Sequence, residues 1–386
     1  MRRLAGLAAV AASLALAVPA QVQAQESSDI SFKTKALEVS VGGRVQLQAS
    51  TSSCSEFPIA DNSACAEQVP SSDLFLRRAR LTFTVKINDK IDFRIQPDFN
   101  KIDKVGLKDA WGRFTFSKAF RLKGGHFKRP FDGFVLVSST QTLTVERELA
   151  IRGIDGLLVP NVTSFTTAYD LSDRDIGLEA SGSTNNGVFS YWAGVFTGDS
   201  DLKFQDSNTE KQFVGRGQVK LGAGPKDLKI AVAAAATDQG YETVTEGLQG
   251  RYHYNYEVFA DWGDFTDGPH AQLGFVFGDN PFQNVAGDDV DLIAGEDFAK
   301  IASWQGIVSW KFPIGSGDMA IEPLLRFGWA DTNTDISDNE VWGFTPGIQI
   351  FFYKRNKLAL NWDIASPTTD ALRSENSFKA RLQFHF

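Results

Sequence analysis

Over most of this chain, apolar and polar residues alternate one by one through stretches of about ten, and this period of two constrains the fold more than any other feature. From Leu37 to Ala49 the odd positions are Leu37, Val39, Val41, Gly43, Val45, Leu47 and Ala49, while the even ones include Glu38, Ser40, Arg44, Gln46 and Gln48. The pattern returns in Ala79, Leu81, Phe83, Val85 and Ile87 against Arg78, Arg80, Thr82, Thr84 and Lys86, and again along 304–312 and 342–352. Successive side chains of a strand point to opposite faces, so each stretch presents one greasy and one polar face. Strands of soluble sheets average five or six residues. Strands near ten residues with aromatic ends suit a bilayer, where only a closed sheet satisfies every backbone group. The expected fold is all-β, a transmembrane antiparallel β-barrel.

Membrane helices do not fit. Such a helix needs roughly 18 or more apolar residues, yet beyond the N-terminus the longest apolar run is the seven residues Ile230 to Ala236. With 34 Gly and 31 Phe against 13 Pro and 2 Cys, the composition also excludes a disordered or disulfide-stapled chain. Residues 1–24 carry Arg2 and Arg3, an apolar stretch from Leu4 to Val18, and a small-residue site ending at Ala24, which reads as a secretory signal peptide. Residues 25–386 are then a single barrel domain, since the strand rhythm runs from Leu37 to Phe386 without a linker.

Turn and loop lengths count the strands. Seven short connections, at 88–90, 117–119, 183–187, 223–227, 263–269, 313–318 and 353–356, alternate with eight longer ones at 50–73, 100–106, 128–173, 197–211, 238–247, 279–301, 331–340 and 366–375. That gives sixteen strands, provided that the apolar piece Ser164 to Leu171 belongs to the third loop; if it were a strand, eighteen would be the better count. The chain ends on Phe378, Ala380, Leu382, Phe384 and Phe386 along one face, and Phe384 with Phe386 resembles the terminal signal read by the barrel-assembly machinery.

Charge is unevenly spread. Without Arg2 and Arg3 the chain carries 37 Lys and Arg against 47 Asp and Glu, yet between Arg77 and Arg152 there are 17 Lys and Arg against 8 Asp and Glu. Export and the acidic remainder exclude nucleic acid as the partner of this basic block. In a wide barrel the polar alternates face the interior, which selects Arg78, Arg80, Lys86, Arg94, Arg113, Arg121 and Lys123. The third loop, Lys128 to Asp173, is the longest, and a loop of this length is expected to fold inward and narrow the channel. Its Lys128, Arg129, Arg147 and Arg152 would complete an anion-attracting constriction, or else pair with Asp132, Glu146, Glu148 and Asp155 and pin the loop to the wall.

Successive motifs carry a family resemblance. Phe75-Leu76-Arg77-Arg78-Ala79-Arg80, Lys108-Asp109-Ala110-Trp111, Gly125 to Phe131, Ser138-Ser139 with Glu146-Arg147, and Arg174-Asp175-Ile176-Gly177 are similar to those of the phosphate-selective porin O and P family. The resemblance implies a sixteen-stranded trimeric outer-membrane channel that passes phosphate or polyphosphate over basic residues, with an inward third loop and no cofactor. Anion preference itself rests separately on the basic block. A general, weakly selective porin is the alternative, if interior acids such as Asp92, Asp98 and Glu322 offset the ladder.

Cys54 and Cys65 share the first long loop of an exported chain and are expected to form a disulfide. An outer-membrane hydrolase would need a base, and of the four His residues His253 is the best placed; no nucleophile motif or metal-type His spacing accompanies it, so no catalysis and no metal are expected.

Overall fold

The computed structural model describes residues 30–34, 37–52, 71–101, 103–149, 160–198, 211–222, 226–239, 251–263, 267–289, 296–315, 318–368 and 374–386. The expected signal peptide, Cys54, Cys65 and Arg152 lie outside them.

In chain order the elements are β1 (Ile30–Lys33), β2 (Glu38–Ser52), β3 (Ser71–Asn88), β4 (Ile91–Asp98), β5 (Gly106–Thr115), β6 (Arg121–Lys128), α1 (Gly133–Leu136), α2 (Val162–Ala168), β7 (Arg174–Ser183), β8 (Phe189–Phe196), β9 (Gln212–Leu221), β10 (Leu228–Gln239), β11 (Arg251–Trp262), β12 (Gly268–Asn284), β13 (Phe298–Pro313), β14 (Ala320–Asp331), β15 (Glu340–Tyr353), β16 (Asn356–Pro367) and β17 (Glu375–His385). From β2 to β17 each strand pairs antiparallel with the next, and β17 pairs with β2, closing a sixteen-stranded barrel. The seven short and eight long connections read from the sequence fall where these strands end.

Two details differ from the sequence reading. The N-terminal lead contains β1, which pairs with β2 through Ile30 opposite Val41 to Lys33 opposite Glu38, at the end of β2 that β17 does not reach. Phe386 follows directly along that edge, exchanging backbone hydrogen bonds of 3.0 and 3.2 Å with Gly43. The piece at 164–171 stays in the third loop but is mostly helical, because the Asn161 side chain caps Ser164 N at 3.2 Å and starts α2.

Burial follows the alternation. In β11, Tyr252, Tyr254, Tyr256 and Val258 are exposed while His253, Asn255 and Glu257 are buried. The exposed side chains along the strands are apolar and the buried ones largely polar, the inverse of a soluble protein and the pattern of a barrel in lipid. The interior is not uniformly polar, however. Val214, Ala233, Ala235, Phe259, Val276, Ile307 and Leu324 turn apolar groups inward, where they form one buried cluster with Phe131, Phe134, Leu143, Val162, Phe165 and Leu171 of the third loop.

Candidate functional site

Beside this cluster lies a cavity of about 700 Å³ walled by β2 to β6 and lined also by residues of β7 to β11 and the third loop. Alternation in neighbouring strands aims their charged residues at it. Ten lining side chains are Lys or Arg (Arg44, Arg80, Arg94, Arg113, Lys123, Lys128, Arg147, Arg174, Arg216 and Lys229), against three carboxylates, Asp109, Glu179 and Asp261.

Of the sequence-selected residues, Arg80, Arg94, Arg113, Lys123, Lys128 and Arg147 meet at this cavity. The others lie elsewhere. Arg78 is buried beside Glu146 at 3.5 Å, and Arg129 is fully buried, bonded to Asp170 at 2.5 Å and Gln212 at 3.1 Å. Lys86 stands largely exposed 3.7 Å from Glu38, and Arg121 reaches Ser183 at 3.5 Å. The sequence reading passed over Arg44, Arg174, Arg216 and Lys229 as site residues. Arg44 sits on the polar face of an alternating strand and Arg174 inside a quoted motif, so both were visible; Arg216 and Lys229 lie beyond the basic block and are brought in only by barrel closure.

Nine of the ten cations, all but Lys229, divide by partner. Arg80 pairs with Asp98 at 2.6 Å, Arg113 with Asp92 at 2.8 Å, Lys123 with Glu179 at 2.8 Å, Arg174 with Asp109 at 2.7 Å and Arg216 with Glu257 at 2.6 Å. Arg44, Arg94, Lys128 and Arg147 have no carboxylate within ion-pair distance among the described residues. Arg44 approaches Gln96 at 3.4 Å and Arg94 donates to Thr84 at 3.2 Å. Lys128 donates to the carbonyls of Val135 and Val137, and Arg147 to those of Phe134 (2.9 Å) and Val137 (2.5 Å). Carbonyls orient these cations without neutralising them.

Aromatic rings separate the charges. The guanidinium carbons of Arg94 and Arg113 stand 5.6 and 5.5 Å from the Trp111 ring centre, and Lys123 Nζ lies 3.9 Å from that of Phe127. Gly125 makes the Trp111 position accessible: its φ is +128°, and a Cβ there would stand 2.2 Å from Ala110 O and 2.8 Å from Trp111 Cα.

The adjoining wall, β14 to β17 together with Gln46 of β2, holds the loop. Residues 139–147 form neither helix nor strand, so their carbonyls need outside donors. Gln46 donates to Ser139 O at 3.2 Å, Gln383 to Thr140 O at 3.1 Å, Lys357 to Thr142 O at 3.0 Å, and Arg326 to Glu146 O and Arg147 O at 3.0 and 2.8 Å. Arg381 donates to Val145 O, and Asn361 accepts from Val145 N at 2.6 Å. Gly328 and Gly343 admit the returning end of the loop, for a Cβ on Gly328 would stand 2.5 Å from Pro160 O. Behind this row, Asp363 binds Arg326 at 2.9 Å and Lys379 at 2.5 Å.

The loop charges respond to these surroundings. Burial alone would push the Glu146 carboxyl up, but Arg78 and Arg77 hold it well below the usual carboxylate range. Glu148 is pushed up by burial and by Glu146 beside it. Burial lowers Arg147 to about 10, which leaves it charged at neutral pH. Among the described residues no group of three or more His, Cys, Asp or Glu could hold a metal ion. His253 is buried against Asn255, Nδ1 to Oδ1 3.0 Å, and Phe298.

A closed sixteen-stranded barrel, greasy outside and charged within, defines an outer-membrane porin. The chain belongs to the phosphate-selective porin O and P family, whose model matches residues 61–259, just over half of its 386 residues. Comparison with curated proteins gives no match. Among solved structures, OmpF of Salmonella typhi in complex with daunomycin is similar over 92% of this chain and 100% of its own, at 10% identity and a TM-score of 0.58. The outer membrane channel DcaP of Acinetobacter baumannii is similar over 92% and 99%, at 13% identity and 0.56. The trimer form of OmpT of Vibrio cholerae is similar over 91% and 100%, at 9% identity and 0.54. At these identities the likeness is one of fold.

Proposed function

We propose that this porin is an anion-preferring channel, a homotrimer in the outer membrane, whose third loop lies across the interior and narrows it. The observation that carries this reading is the cavity lining: ten Lys and Arg against three carboxylates, with four of the cations lacking a carboxylate partner. Fixed positive charge at a narrow point lowers the energy of a passing anion and raises that of a cation. Phosphate or polyphosphate is the cargo that the family description supports. The trimer form of a fold relative supports the assembly, as do the loop carbonyls bound by β14 to β17 the placing of the loop.

The test is the reversal potential of the refolded protein in a potassium chloride gradient, followed by phosphate titration. Anion selectivity with current blocked by phosphate is the expected result; cation selectivity, or none, sinks the proposal. A weakly selective porin is the second reading, favoured by the five cavity cations already paired with carboxylates. Anion selectivity without phosphate block would support a general anion pore.

A further inference from the structure

The cavity contains more aromatic surface than an inorganic oxyanion can use. Trp111 and Trp192, both partly exposed, line it among the cations, together with the buried rings of Phe127 and Phe259. Arg94 and Arg113 flank Trp111, Lys123 stands over Phe127, and Arg216 stands 5.8 Å from the Phe259 ring centre. A hydrated phosphate gains hydrogen bonds from the cations, but apolar ring surface offers nothing in place of the water it must shed. An anion with a flat conjugated body gains from both, since its carboxylates meet guanidinium donors while its ring packs on ring faces or guanidinium planes. At about 700 Å³ the cavity has the size of an organic ligand pocket and exceeds what one small oxyanion needs.

Resting on the anion-channel reading above, we infer that the cavity is also a binding station for aromatic carboxylates, which it holds more tightly than aliphatic carboxylates of equal charge. Trp111 is the central contact: two guanidinium groups lie within 5.6 Å of its ring centre, and one of them, on Arg94, has no carboxylate partner among the described residues. The cargo's carboxylate engages Arg94 and its ring covers Trp111, the partly exposed ring beside it.

The rings could instead only brace the guanidinium groups. A brace would affect every anion alike, whereas a ring that touches cargo affects aromatic anions selectively. The test uses the refolded full-length barrel in planar bilayers and compares the concentrations of benzene-1,2-dicarboxylate and butanedioate that halve the chloride current. About a tenfold lower value is expected for the aromatic dianion, the size of one good stacking contact. Trp111→Ala should abolish that difference, read as the ratio of the two half-blocking concentrations within the same variant so that any change in chloride conductance cancels, and Trp111→Phe should retain most of it. If Trp111→Ala does not assemble, Trp192→Ala is read in its place, with a partial loss expected. Equal block by the two dianions in an anion-selective native channel overturns this inference alone, as does a Trp111→Ala effect equal for both. A native channel without anion preference overturns the reading beneath it as well.

Discussion

Two walls of the barrel carry similar side chains toward the interior and use them differently. On β2 to β6, Arg44, Arg94 and Lys128 face a cavity and meet only a side-chain amide, a hydroxyl with a ring face, or carbonyls. On β14 to β17, Arg326, Lys357 and Arg381 are fully buried and occupied with carbonyls of loop residues 142–147. In the proposed channel, the first wall leaves positive charge for a passing anion. The second is structural, satisfying a stretch of backbone that has no secondary structure of its own. The number of basic residues on a face therefore says little about binding; what matters is whether the protein already provides their acceptors.

The largest effect expected from breaking this contrast is at Asp363. Asp363→Ala leaves Arg326 and Lys379 buried without their shared carboxylate, a loss on the order of 3–5 kcal/mol. Thermal unfolding in detergent should show a lowered Tm and a loosened third loop should raise conductance, while the sign of the ion preference stays the same. On the open wall, Arg94→Gln should do the reverse. Tm should move little, because Arg94 gives up one hydrogen bond and one ring contact, while the permeability ratio of chloride to potassium falls about fivefold, from the loss of roughly 1 kcal/mol of attraction.

The smallest effect is that of pH, and its sign separates two neighbours in the loop. Glu146, held low by Arg78 and Arg77, stabilises the docked loop above the ordinary carboxylate range and loses that contribution only as pH falls through its depressed value. It should be silent between pH 8 and about 5. Glu148, pushed up by burial and Glu146, takes up its proton earlier on acidification, so folding gains stability as pH falls through its raised value. A modest rise in anion selectivity on acidification, absent in Glu148→Gln, would mark it in reversal-potential measurements.

Much of the architecture was legible in the chain. The period of two, the seven short connections and the eight longer ones define sixteen strands, because in a strand the choice of face is a local property of each residue. Ser164 to Leu171 was placed correctly in the loop but its helix was not foreseen, since the Asn161 cap only acts once the loop is folded. The apolar interior patch around Phe259 and Val276 was also missed: both faces of those strands are partly apolar, and alternation cannot say that a loop will cover one of them.

The sequence by itself determined the barrel and favoured sixteen strands over eighteen. Only the tertiary structure decided which inward cations are already bound. Arg129 and Arg147 look alike in the chain, eighteen positions apart within the same loop reading, yet one is enclosed by Asp170 and Gln212 while the other reaches the cavity. Their partners come from strands and loop turns far along the chain. Direction follows from local backbone geometry, but an electrostatic partner follows from where distant segments meet, and no local pattern encodes that.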